Sequence, residues 1–137
     1  HLPACPKADR VQADFEKITT INSVGIRTWI GWLAHFPADQ KVTFTNMPST
    51  MVSQLNVVKD FIPQHMRVTS ILIPYACENC GADFVTKFDI SQMKMSSFQQ
   101  ELAKIKETPC PQCQQPAELD AVPERYFAFV KTNPQFQ

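Results

Sequence analysis

The stretch RVTSILIPYACENCG, residues 67–81, carries two messages in succession. Its first nine residues are rich in β-branched and aromatic side chains and nearly continuous in apolarity, the composition of a strand buried on both faces. Its last five, Cys77 to Gly81, form a C-x2-C knuckle followed by glycine, which sets two thiolates on one tight turn with backbone amides directed at the sulfurs. A buried strand therefore runs straight into half of a metal site, and the rest of the chain can be read outward from that junction.

Upstream, residues 41–45 alternate Val42 and Phe44 with polar residues, the pattern of a short strand. It leads through Asn46 to Pro48 and Ser49, a helix start. Met51, Leu55, Val58 and Ile62 then recur on one helical face until Pro63. Farther back, Asn22 and Ser23 are both N-cap types, and Ile26, Trp29, Ile30, Leu33 and Phe36 follow at helical spacing, predicting a helix over 24–36 stopped by Pro37. Residues 11–21 read as a strand entering a buried turn, and Pro3 and Pro6 mark an irregular lead-in. The order strand, helix, strand, helix, strand predicts an α/β unit with a mainly parallel sheet and right-handed crossovers.

Downstream, residues 82–88 read as a strand leaving the knuckle. Ser97 with Gln100 suggests a capping box ahead of Phe98, Leu102 and Ile105 on a short helix. A second knuckle, Cys110-Pro-Gln-Cys113, follows; residues 125–131 (RYFAFVK) read as a closing strand, and 133–137 are expected to fray. The expected division is an α/β core over 10–75 and a zinc-ribbon-like extension, hairpin plus helix, over 76–131 that completes the same domain.

Cys77, Cys80, Cys110 and Cys113 supply the four soft donors that one tetrahedral Zn2+ requires, so a single structural zinc is expected. Redox-active or disulfide-linked pairs, or unrelated buried cysteines, are the competing readings. Four thiolates leave no open position for water or substrate, so such a site would hold structure and do no chemistry. Cys5 lies outside both knuckles and reads as a free thiol. His1, His35 and His65 are scattered, with no second histidine at ligand spacing. No nucleophile triad, phosphate-cradling glycine loop or paired carboxylate motif stands out among 137 residues with three glycines, so no catalytic residue is assigned and the chain is not expected to be an enzyme.

Thirteen basic and thirteen acidic residues cancel, and residues 76–118 hold four Lys against six acidic residues. Phosphate contacts would therefore be scarce, which argues against a nucleic-acid partner. No run approaches the roughly 20 apolar residues of a membrane span, so a soluble, cytoplasmic protein without membrane insertion is expected. The chain opens on His1 rather than Met, so the natural start, with any missing strand, is expected upstream.

Ile21-Asn22-Ser23-Val24-Gly25-Ile26-Arg27, at a strand end entering a helix, resembles the turn of the STAS domain, the fold of anti-sigma-factor antagonists and of sulfate-transporter tails. FTNMPSTMVSQLNVV, residues 44–58, resembles the family's next strand and helix, so the likeness covers about residues 10–75. The resemblance implies a regulatory, non-enzymatic domain that docks a protein partner through Asn22, Ser23, Val24 and Arg27. Trp32, on the same helix, is a further candidate contact. Asn22 falls on the family's Asp, Val24 on its phosphorylated Ser and Gly25 on its Gly. Val24 has no hydroxyl, so the phosphorylation switch is absent there, and Ser23, read as a cap, would turn its oxygen into the turn. Helix capping alone would also explain Asn22 and Ser23. The extension after Tyr75 departs from the family pattern. The likeness also admits a small-ligand or lipid-handling role in a transport assembly, and the cysteine pairs admit a thiol redox protein. Partner identity and self-association stay open.

Overall fold

The computed structural model describes residues 10–18, 21–58 and 60–137. Cys5 and the Pro3–Pro6 lead-in lie outside them. Three strands form a parallel sheet in the order β1-β2-β3: β1 (Arg10–Asp14), β2 (Lys41–Thr45) and β3 (Arg67–Val68). Helix α1 (Ser23–Leu33) joins the first pair and α2 (Ser49–Val57) the second. Each crossover helix is shorter than the periodicity suggested: α1 stops three residues before Phe36, and α2 ends well before Pro63. Phe36 and Ile62 are nonetheless buried, because the turns after the helices stay packed on the sheet.

The predicted strand over 67–75 is correct in place and wrong in role. It divides at Thr69 into β3 and β4 (Ser70–Ala76), and β4 belongs to a second, antiparallel sheet with β5 (Asp83–Asp89), β6 (Glu107–Pro109) and β7 (Pro116–Leu119), in the order β5-β4-β7-β6. The architecture is thus mixed α/β with two sheets rather than one mainly parallel sheet. The seven β4 residues pair with β5 from Ser70↔Asp89 to Ala76↔Asp83. The opposite edge of β4 is shared. Near its start the Leu72 amide donates to the Met47 carbonyl just after β2, at 2.9 Å, and near its end Tyr75 and Ala76 pair with Leu119 and Glu118 of β7. Pro74 stands between these neighbours. It has no N–H to offer, while its carbonyl accepts from the Asp120 amide at 2.9 Å.

A 3-10 turn at Met95–Ser97 and helix α3 (Phe98–Ile105) bridge β5 and β6, burying Phe98, Leu102 and Ile105 as their spacing requires. The capping box is not formed. Ser97 already belongs to the preceding turn, and its hydroxyl donates to the Lys94 carbonyl at 3.2 Å.

The C-terminal segment differs most from expectation. Residues read as a strand form two single-turn helices, α4 (Pro123–Tyr126) and α5 (Phe129–Thr132), and 133–137 do not fray. Asn56 on α2 fixes the junction, donating to the Tyr126 carbonyl at 3.0 Å and accepting from the Phe129 amide at 2.8 Å. The Tyr126 hydroxyl donates to the Leu72 carbonyl at 2.6 Å. Farther on, Gln135 lies against β3: its amide nitrogen donates to the Val68 carbonyl at 2.7 Å and its oxygen accepts from the Val68 amide at 2.9 Å. One glutamine side chain thereby supplies the partner that a neighbouring strand would otherwise give. Phe127, Phe129, Val130 and Phe136 join the same apolar core as Trp29, Phe44, Met51 and Ile73.

Candidate metal centre

Each knuckle is the turn of a β-hairpin. Cys77–Ala82 links β4 to β5, and Cys110–Gln115 links β6 to β7. The two turns are built alike. The Cys77 amide donates to Ala82 and the Gly81 amide to the Cys77 carbonyl, at 2.9 and 2.8 Å; the Cys110 amide donates to Gln115 and the Gln114 amide to the Cys110 carbonyl, at 2.8 and 2.9 Å. Gly81 and Gln114 occupy equivalent positions with φ of 77° and 68°. The glycine is suited to that left-handed conformation and the glutamine is not. Because β4 and β7 are neighbours, both turns arrive at one end of the sheet.

The four sulfurs lie within 4.8 Å of one another. The short separations run between knuckles, 3.5 Å from Cys77 to Cys113 and 3.6 Å from Cys80 to Cys110. All four cysteines are free thiols. A tetrahedral ion with metal–sulfur bonds of about 2.3 Å needs sulfur–sulfur edges of about 3.8 Å, so the cluster can close on an ion with small side-chain rotations. Four thiolates in this arrangement suit Zn2+ or an iron centre. Cys77 and Cys110 belong to the core, Cys113 is half-buried and Cys80 exposed, so a bound ion would sit at the margin of the apolar interior.

The surroundings favour negative charge on the sulfurs unequally. Cys113 accepts from the Asn79 side-chain amide at 3.4 Å and from the Gln115 amide, which bring its thiol down to about 6. Cys80 accepts from the Ala82 amide, yet loss of solvent and three adjacent thiols push it up to about 12. A cation is what allows all four to ionise together. Asn79 and Gln114 were not visible as contributors in the sequence. The signal for Gln114 is its alignment, one residue after the second cysteine, with Gly81.

The candidate docking residues lie elsewhere, at the start of α1. Asn22, and not Ser23, is the cap: its side-chain oxygen accepts from the Gly25 amide at 2.8 Å. Ser23 is the first helical residue and is exposed, so the expectation that capping hides its hydroxyl is corrected. Val24 is 67% exposed and Arg27 is also exposed. Ile30, assigned by spacing to the buried face, is exposed too and lies one turn beyond Arg27. Trp32 is half-buried, edge-on to Phe36 at 5.0 Å. At 100° per residue it stands about 140° around the helix from Arg27, so the two do not share one face.

Beside α1, at the carboxyl ends of β1 and β2, Asn46 has φ of 54° and its side-chain nitrogen donates to Asp14 at 3.2 Å. The Glu16 amide and Asn46 hold the Asp14 carboxyl below its ordinary range. His35 and His65 are exposed and lie apart from the cysteines in sequence and element. No described helix is long and apolar enough to cross a membrane. No protein-family model, curated protein or solved structure matches this chain.

Proposed function

We propose that the chain is a STAS-like regulatory domain that binds a protein partner through the start of α1 and uses a structural zinc to fix its hairpin end. The observation that carries the docking surface is the exposure of Val24 and Ile30 on either side of Arg27. Residues 24, 27, 30 and 31 lie on adjoining stripes of one helix, so two apolar side chains flank a cation above the flat Gly31. Such a mixture suits a protein surface better than a small substrate. The STAS assignment itself rests on the turn 21–27 and the segment 44–58.

The structural role proposed for zinc rests on the closed four-sulfur shell, which leaves no position for water or substrate, and metal analysis of the purified chain separates zinc from iron. Binding rather than catalysis is the role of such a closed site. Val24 replaces the hydroxyl that a switch of the STAS kind would need, so docking is constitutive at that position.

Affinity capture from native extract, with the unaltered chain and with Arg27→Glu, tests the surface. Loss of a specific protein from the variant is expected. Equal recovery of every captured protein by both would refute this face as the docking site.

A further inference from the structure

Strand β5 ends the antiparallel sheet. Its inner edge is set by the bonds flanking it: the Cys77 amide donates to Ala82 and the Ile90 amide to Thr69. With that phase, Phe84, Thr86 and Phe88 direct their backbone groups toward β4, while Asp83, Val85, Lys87 and Asp89 direct theirs outward. Among the described residues no backbone group bonds to those outward amides and carbonyls. The same four residues have exposed side chains, and Val85 is 58% exposed. A seven-residue strand with an open edge is a template for another strand.

From this edge we infer that β5 pairs antiparallel with β5 of a second copy, about a two-fold axis at Val85, joining two four-stranded sheets into one. The sequence DFVTKFD selects that register. With Val85 opposite Val85 of the second copy, Asp83 meets Lys87 and Lys87 meets Asp83, giving two opposite-charge pairs around an apolar contact. A slip of one position to a centre at Thr86 opposes Asp83 to Asp89 twice. A further step the same way, to Lys87, sets the two lysines against each other, and a step the other way, to Phe84, faces Asp83 with Val85 and Lys87 with Gly81, forfeiting both opposite-charge pairs. Opposite charges stabilise and like charges destabilise directly facing positions, so one register is preferred.

A lysine on an edge strand ordinarily guards against pairing. Here Lys87 has a complementary Asp83 four residues away, the separation at which a two-fold centred on Val85 superposes them. The three outward residues from 83 to 87 would exchange about six backbone hydrogen bonds across the axis. A two-fold contact between identical patches also closes on itself, so it ends at the dimer rather than growing into a fibre.

Sedimentation equilibrium of the metal-loaded full chain is the test, with amide exchange at Asp83, Val85 and Lys87 followed over the same concentrations. A monomer–dimer equilibrium is expected, with these three amides protected only as dimer forms. Lys87→Glu should raise the dissociation constant about tenfold or more, and Asp83→Lys combined with Lys87→Asp should restore it. Val85→Pro removes an N–H that the monomer leaves outside the sheet, a place where an edge strand tolerates proline, and should abolish the dimer while the metal content is unchanged. A monomer at every accessible concentration overturns the inference, as does a dimer that Lys87→Glu leaves unaltered. Concentration-independent protection of the three amides would mean that the edge is already covered within one chain, and would overturn it equally. Arg27→Glu lies on another surface and should leave this equilibrium unchanged, so failure of the docking face and failure of the strand edge are separable.

Discussion

Gln114→Gly should stabilise the protein. Gln114 sits at φ 68° in a knuckle whose twin carries Gly81 at φ 77°. A residue with a Cβ spends about 1–2 kcal/mol in that conformation, whereas glycine gives up about 0.5–1 kcal/mol of extra chain entropy on folding. Among the described residues the only side-chain bond lost is the exposed one from Gln114 to the Pro111 carbonyl at 3.4 Å, and the backbone bond to Cys110 is retained. The net gain is about 0.5–1 kcal/mol, or about 2–4 °C in Tm for a chain of this length. The reciprocal change, Gly81→Ala, should lose a similar amount. Among the described residues beyond its two chain neighbours, no atom lies within 4 Å of the added Cβ, so the loss is backbone strain and not collision. Thermal unfolding should be followed at fixed free metal, since ligand concentration shifts the midpoint by mass action. Destabilisation by Gln114→Gly, or indifference to Gly81→Ala, would refute the structural equivalence of the two knuckles.

Purified protein should carry about one zinc per chain, and Cys77→Ser should lose it; metal-free protein prepared without chelator would contradict the centre. Stripping the metal should deprotect 107–119 more than β4 and β5, because β7 is tied to β4 at two positions whereas β5 pairs along its whole length; equal loss of amide protection in both would contradict this. Metal affinity should fall on acidification. Ligation expels the Cys80 proton at any pH below about 12, while Cys113 has already lost its own above about 6, so the slope of log affinity should steepen by about one proton below that value. Chelator competition across pH 5 to 8, corrected for protonation of the chelator, reads this out, and a constant slope would count against it. Gln135→Leu should cost about 2–4 kcal/mol by stranding both backbone groups of Val68, measured by denaturant unfolding; a cost below about 1 kcal/mol would show that water replaces the amide.

The features legible in the sequence were those whose chemistry is local. A C-x2-C turn marks its own candidate ligands, Asn22 caps the helix that follows it, and alternation at Val42 and Phe44 marks β2. What escaped depends on distant residues. The aromatics of RYFAFVK have strand composition, but Asn56, far back in the chain, bonds the Tyr126 carbonyl and the Phe129 amide and holds two short turns instead. The apparent single strand over 67–75 serves two sheets because its neighbours change along its length, from β2 to β7. The C-terminal residues would fray by position alone; Gln135 and Phe136 are anchored through Val68 and the core. The two-fold complementarity of DFVTKFD was present in the letters and gained meaning only once β5 proved to be a terminal strand.

Pro74 gives the junction of the two sheets a punctuation mark. A central strand that could donate at every residue would let β2 and β7 contend for the same stretch of edge, each advancing at the other's expense. The missing N–H at position 74 denies either neighbour an uninterrupted ladder, so the frontier between parallel and antiparallel pairing is written into one imino acid. An alanine at position 74 would erase the mark and leave the boundary to be decided by competition.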